Sequence, residues 1–475
     1  MRQALRTAAA VVLLAGPAVL AFRSGGYFAE PRLAAGVGAW LLAAIGLAAG
    51  SGPLLRSAPV RTAAGGLAAL TALVGLSILW APIAATAQAD LQRLLLYLGA
   101  LVAGIALLRG RMGLRTVEPA LGAGVLLVIV YALSDRLLPG LVSQEASRSA
   151  AGRLEQPLTY WNAMGALAAV GLVIALRVAG DGTRERWLAL AGAAAAVPLA
   201  VGVYLSFSRG ALLALLLGVL VLVVGSADRT QLRVIGSSAV AGVLACVAAG
   251  LLPAVRALEG AQSSRELQGA VMLLVLVALM SASAFAAARL RSAAAAGSFR
   301  VPAVAAGALA VVLVGGLLVV ASGSGSQDGQ PRVGADTRRL ASFESNRYEY
   351  WKVAGGMFVG HPLAGEGSGS FRVVWRRDRK IDDPALDAHS LPVETAAELG
   401  LLGLLALAAF TGGAGWAVVR LLRRRRTEAV GAAAALSVLA LHSTVDWDWE
   451  MPALALIGVL LIAAVAGALD DLQEG

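Results

Sequence analysis

Three histidines are the chain's side chains that ordinarily titrate near neutral pH: His361, His389 and His442. His389 stands in DAHSLPVETAAELG, where a polar stretch runs into an apolar one. An imidazole at such a boundary could take a proton from a hydroxyl at a membrane surface. It could equally be an interfacial residue holding a helix cap. His361 lies in GHPLAGEGSGSF, with Gly360, Gly365, Gly367 and Gly369 around it. A glycine-rich turn of this kind can offer backbone N–H groups to an anion, and more often is only a tight turn. His442 precedes Asp446, Asp448 and Glu450 in LHSTVDWDWEMPA. Carboxylates beside a histidine could bind a metal, but the alternating Trp447 and Trp449 favour an interfacial anchor, and no metal site is assigned.

Arginines are the second group with chemical reach. Arg209 directly follows Ser206-Phe-Ser208 and opens an apolar run, with almost no loop to carry it into water. Arg153 precedes Tyr160-Trp-Asn162 at the start of another run, and Arg347 stands in SNRYEYW. A guanidinium held at the membrane surface presents a planar fork of donors that matches phosphate oxygens. Snorkelling to lipid headgroups uses the same donors. Glu394 and Glu398, four residues apart, share one helix face and could orient His389 or serve a proton path. The chain has no GxxxxGK[ST] loop for a nucleotide.

The elements that must position these residues follow from composition. Of 475 residues 58% are hydrophobic and 14% charged, and mean hydropathy is +0.77. Soluble globular chains carry about 25% charged residues. The sequence therefore predicts an all-α polytopic membrane protein and excludes a soluble enzyme, a nucleic-acid-binding domain and a disulfide scaffold. The net charge of +10 belongs to arginines flanking apolar runs, which is topogenic charge in contact with membrane lipids. The single Cys246 leaves no intramolecular disulfide and no cysteine-based metal site.

Apolar runs of membrane-crossing length fall at roughly 6–22, 33–50, 60–80, 91–108, 117–135, 159–176, 187–204, 210–225, 234–253, 267–288, 301–321, 390–418, 428–446 and 451–469. Fourteen spans place twenty arginines in short loops on one side and nine on the other. The positive-inside rule then puts both termini in the cytoplasm, and the first run reads as an uncleaved helix. The expected organisation is helices 1–11 over residues 1–321, an extracytoplasmic loop over 322–389, and helices 12–14 over 390–475. Within the loop, 342–360 is expected to form an amphipathic helix, and a loop of this length is usually functional.

Taken together, SFSRGALLAL (206–215), NRYEYWKVAGGMFVGHPLAGEGSGSF (346–371) and DAHSLPVETAAELGLLG (387–403) resemble the O-antigen ligase/polymerase family of bacterial envelope glycosyltransferases. The resemblance covers roughly residues 150–410. It implies transfer of a glycan from an undecaprenyl-diphosphate carrier to an acceptor hydroxyl on a glycan or lipid-glycan, outside the bacterial cytoplasmic membrane, with no cofactor, nucleotide or metal; if Arg209, Arg153 and His389 converge, a single in-line displacement would invert the sugar's anomeric configuration. His389 corresponds to the family's loop histidine, the base. Arg209 corresponds to the arginine of its Ser-Arg-Gly motif, holding the diphosphate, with Arg153 and Arg347 as further matches. Glu398 and His361 stand as supporting residues. Ser390 occupies the position after the histidine where the family commonly shows Asn. Other envelope-assembly proteins are conceivable partners; nucleic acid is not expected. The rival readings are a transporter or flippase of lipid-linked saccharide and an inactive scaffold. A transporter usually needs polar groups near the membrane midplane, and here the polar residues gather at one face.

Overall fold

The computed structural model describes residues 2–49, 55–109, 113–225, 229–294, 335 and 346–474. Among the described residues the regular elements are all helical. They are α1 (Arg2–Ala21), α2 (Ala29–Ala49), α3 (Ala58–Ser77), α4 (Ala84–Leu107), α5 (Leu114–Leu137), α6 (Trp161–Gly180), α7 (Arg186–Leu205) and α8 (Arg209–Gly225). There follow α9 (Arg229–Leu251), α10 (Pro253–Ala257), α11 (Gln262–Ala294), α12 (Arg347–Gly360), α13 (Phe371–Asp378), α14 (Leu391–Arg424), α15 (Arg426–Ser443) and α16 (Pro452–Glu474).

Eleven of the described helices are long and apolar enough to cross a membrane, and α8 and α15 are shorter apolar helices. Together they account for thirteen of the fourteen expected spans. The fourteenth, at 301–321, lies outside the described residues, as do 342–345 of the expected amphipathic segment. This is the build of a multi-pass membrane protein.

The chain packs into two compact units. The first comprises Met1–Val117, Ser345–Ala432 and Ala440–Gly475. Within it α2 packs on α4, α16 on α4 and α1, and α3 along α14. The last pair meets backbone to backbone. A Cβ on Gly66 would lie 2.3 Å from the Phe410 nitrogen, and one on Gly413 would lie 2.4 Å from the Ala63 nitrogen. Small residues allow this approach where no hydrophobic effect drives helices together in lipid.

The long helix α14 is broken once. Gly400 adopts φ 61° and ψ −154°, a region open essentially to glycine alone. The backbone groups freed by the break are satisfied by the glycine-rich segment after α12. Leu401 and Leu402 donate to the Pro362 and Leu363 carbonyls (2.8 and 3.1 Å), and Gly367 donates to the Glu398 carbonyl (2.8 Å). In lipid every such group needs a protein partner, so loop and broken helix require each other.

The second unit comprises Glu118–Glu344 and Ala433–Leu439. Its centre is α6, whose apolar window is buried throughout. Arginines that the sequence places as topogenic loop charge act here as internal ties. Arg184 pairs with Glu118 at 2.7 Å, Arg177 pairs with Asp181 at 3.0 Å, and Arg291 donates to the Asp181 and Arg184 carbonyls.

Candidate functional site

His389 sits in the link that brings the chain from α13 into α14. Pro392 in the first turn of α14 suits a helix start, and Glu394 reaches back to accept the Ala388 N–H at 2.7 Å. That contact fixes the residue immediately before the histidine. His389 itself has φ 54°, a left-handed conformation uncommon outside glycine and often found at functional sites.

The ring's orientation follows from its neighbours. Nδ1 lies 2.9 Å from the Asp387 carbonyl oxygen. A carbonyl can only accept, so this contact engages an Nδ1–H and leaves Nε2 as the ring atom for a substrate. The Tyr350 ring lies 5.2 Å from the imidazole. Tyr350 is held in turn by Trp375, edge-on at 4.8 Å, and by its hydroxyl on Asp383 at 2.5 Å. Burial, then the Asp383 contact, pushes the Tyr350 phenol above its usual range, so it stays a neutral donor. Trp351 donates to the Ala388 carbonyl at 3.1 Å, and Trp375 donates to the Asp383 carbonyl at 2.8 Å. Helices α12 and α13 thus hold the histidine link from both ends, and His389 is half-buried.

Glu398 is fully used. Its two carboxylate oxygens accept the N–H groups of Gly369 (2.8 Å) and Phe371 (2.9 Å). Ser368 donates its hydroxyl to Asp90 at 2.6 Å and its N–H to the Ser77 hydroxyl at 3.2 Å. The glycine-rich turn therefore spends these donors on the protein's own carboxylate and hydroxyl, which argues for a latch and against an anion cradle. His361 is exposed, with Nδ1 3.5 Å from Glu366.

Three carboxylates from separate motifs converge beside the histidine link. Oxygens of Asp387, Glu394 and Glu450 lie within 4.8 Å of one another. Such a trio could reach one cation, but two guanidiniums already serve it. Arg93 pairs with Glu450 and with Asp90 (3.1 Å), and Arg372 lies 3.6 Å from Asp387. Burial pushes the Asp387 carboxyl up, against the pull of Arg372 and His389. Burial likewise pushes Glu450 up to about 8 in spite of Arg93. Asp387, Glu394 and Glu450 are separated by up to 63 positions in the sequence, so only the wording of each motif, not its spacing, could have hinted at their meeting.

The other expected residues have these places. Arg347 pairs with the buried Asp446 at 2.9 Å. His442 is fully buried with Nδ1 on Asp448, which makes the DWDWE turn an internally tied structure. In the second unit Ser208 caps α8, its hydroxyl accepting the Ala211 N–H at 3.2 Å, and half-buried Arg209 is the first residue of that helix. Arg153 is buried, with its guanidinium 3.5 Å over the Trp161 ring and a bond to the Ala150 carbonyl at 2.7 Å.

One segment of the chain resembles a known family. Residues 267–408 match the O-antigen ligase family model. The O-antigen ligase match takes in the latch, α12, α13 and His389, so the resemblance seen in residues 346–371 and 387–403 is borne out. A search of curated proteins gives no match. An O-antigen ligase segment in a multi-pass helical chain supports a membrane glycan-transferring ligase or polymerase.

Proposed function

We propose that the protein transfers a glycan from an undecaprenyl-diphosphate carrier to an acceptor hydroxyl, at the outer side of the bacterial cytoplasmic membrane. The observation that carries this reading is the contact of His389 Nδ1 with the Asp387 carbonyl, which holds the ring and leaves Nε2 as the atom to meet an acceptor hydroxyl. Nε2 takes the acceptor hydroxyl's proton as the oxygen forms a bond to the sugar's anomeric carbon. The bond from that carbon to the carrier's phosphate breaks, and its electron pair leaves with the diphosphate. A single displacement of this kind inverts the anomeric configuration. The energy comes with the sugar–phosphate bond, so the scheme uses no nucleotide and no metal.

The departing diphosphate needs preorganised positive charge. Arg209 and Arg153 are assigned to it from the family resemblance. Arg347, engaged by Asp446, is assigned to holding α12 and with it Tyr350 against the base. Glu398 supports the site through the glycine-rich latch, and His361 is a peripheral group of the same segment. Ligase and polymerase differ in the acceptor. The test uses host cells lacking the gene, complemented with the wild type, His389→Ala or Arg209→Ala, reading carrier-linked glycan and surface polymer together. Each variant is expected to reach the membrane at normal levels, accumulate carrier-linked glycan and lack surface product. Short chains left on the carrier identify a polymerase, and full-length unattached chains a ligase. Full product from His389→Ala overturns the assignment of the base, and glycan trapped on the cytoplasmic face supports a flippase.

A further inference from the structure

Helix α12 has two faces. One carries Tyr350, Ala354 and Met357, buried against α13 and the histidine link. The other carries Tyr348 and Val359, eleven residues apart and so about three turns along one stripe. These two and Leu363, just past the helix end, are 71%, 79% and 66% exposed. Exposed apolar groups gathered in this way mark contact with a membrane or another protein.

The level of this face follows from α14. None of residues 391–400 is exposed, whereas exposed positions begin at Leu401 and Leu402 and recur down the helix to Arg420. The nineteen residues of rise from Leu401 to Arg420 amount to about 28 Å, close to the roughly 30 Å of a hydrocarbon core. The edge of that core on the His389 side then falls near Leu401. Helix α12 is tied at this level by both ends. Leu402 donates its N–H to the Leu363 carbonyl at 3.1 Å. Arg347, at the opposite end, pairs at 2.9 Å with Asp446, in the link between the apolar helices α15 and α16.

We infer that α12 is an interfacial helix whose Tyr348–Val359 face, with Leu363, rests in the headgroup–acyl boundary of the leaflet on the His389 side. The partner is the bilayer, because Leu363 prolongs the lipid-facing stripe that Leu401 and Leu402 begin. The rest of the face suits the same boundary. Tyr348 and Trp351 are aromatic residues of the type that settles there, and exposed Lys352 can reach lipid phosphates. The site is coupled to this contact. Trp351 is 37% exposed while its N–H holds the Ala388 carbonyl at 3.1 Å, so the residue before His389 is fixed to a ring at the membrane surface.

The single native cysteine is removed by Cys246→Ser, and nitroxide labels are attached one at a time to Val359→Cys, Leu363→Cys and Asp382→Cys. The full chain is held in nanodiscs of phosphatidylethanolamine and phosphatidylglycerol. EPR reads collisions with oxygen, which concentrates among acyl chains, and with a water-soluble nickel chelate. Labels at Val359 and Leu363 are expected to meet oxygen several-fold more often than nickel, and the label at exposed Asp382 to show the reverse. Nickel collisions at either Val359 or Leu363 as frequent as at Asp382 put the face in water and overturn the inference. Exclusion of both reagents at either position puts a second protein surface over it and overturns the inference equally.

Discussion

At the scale of single residues, the site depends on one imidazole whose tautomer is set by a backbone carbonyl. Because that partner cannot be deleted by mutation, the direct test is the ring itself. His389→Ala is expected to lower transfer about 10²–10⁴-fold, the usual worth of a positioned base, in an assay of purified protein with carrier-linked glycan. Tyr350→Phe removes only the hydroxyl on Asp383 and leaves the ring beside His389. A loss of about 1 kcal/mol in thermal stability is expected, with transfer largely kept. Glu450 gives a pH signature. Its carboxyl is raised from 4.5 to about 8 in the fold, so between these values the folded chain holds a proton that the unfolded chain has released. Stability from this group is then complete below about pH 4.5 and declines as pH rises to about 8. Thermal midpoints measured across this range are expected to fall in the wild type and to slope less in Glu450→Gln.

At the scale of elements, the active link depends on a helix that is broken on purpose. Gly400 takes a conformation closed to other residues, and a Cβ there would sit 2.5 Å from the Leu363 carbonyl carbon. Gly400→Ala is expected to cost on the order of 1–3 kcal/mol and to loosen the loop that the break accommodates. Glu398→Ala leaves the buried N–H groups of Gly369 and Phe371 without their partner, a loss on the order of 1–3 kcal/mol. Proteolysis of the purified protein at residues 361–371 reads both variants, since cleavage should rise as the latch opens while an unrelated loop stays protected.

At the scale of the whole molecule, the chain is a membrane protein whose helices approach through small residues. Gly66→Leu is expected to push α3 from α14, because any side chain at that position meets the Phe410 and Ala409 backbone. The thermal midpoint in detergent should drop by several degrees, and Gly65→Leu, which has open space around its Cβ position, should leave it unchanged. Buried ion pairs such as Arg184 with Glu118 tie the second unit in a medium where an unpaired charge would be costly.

Membrane class, the thirteen described spans, the short helix from Arg347 and the ligase-like segment were legible in the sequence, because each rests on local properties: apolar length, charge flanking a run, and contiguous motifs such as DAHSLPVETAAELG. His389 could be singled out for the same reason, since a titratable group at a polar–apolar boundary is visible in one window. The assembly around it could not. The Asp90–Arg93 pair, Arg372 and Glu450 come from segments far apart in the chain, and their meeting is a property of packing that no spacing encodes. The glycine-rich turn read as a possible anion cradle, whereas Glu398, 27 and 29 residues after the donors, claims them. Gly66 and Gly413 were lost in a background rich in Ala and Gly, and only the contact of α3 with α14 shows which glycines matter. Local chemistry is written along the chain; which groups neutralise, latch or expose one another is decided by the desolvated contacts that folding creates.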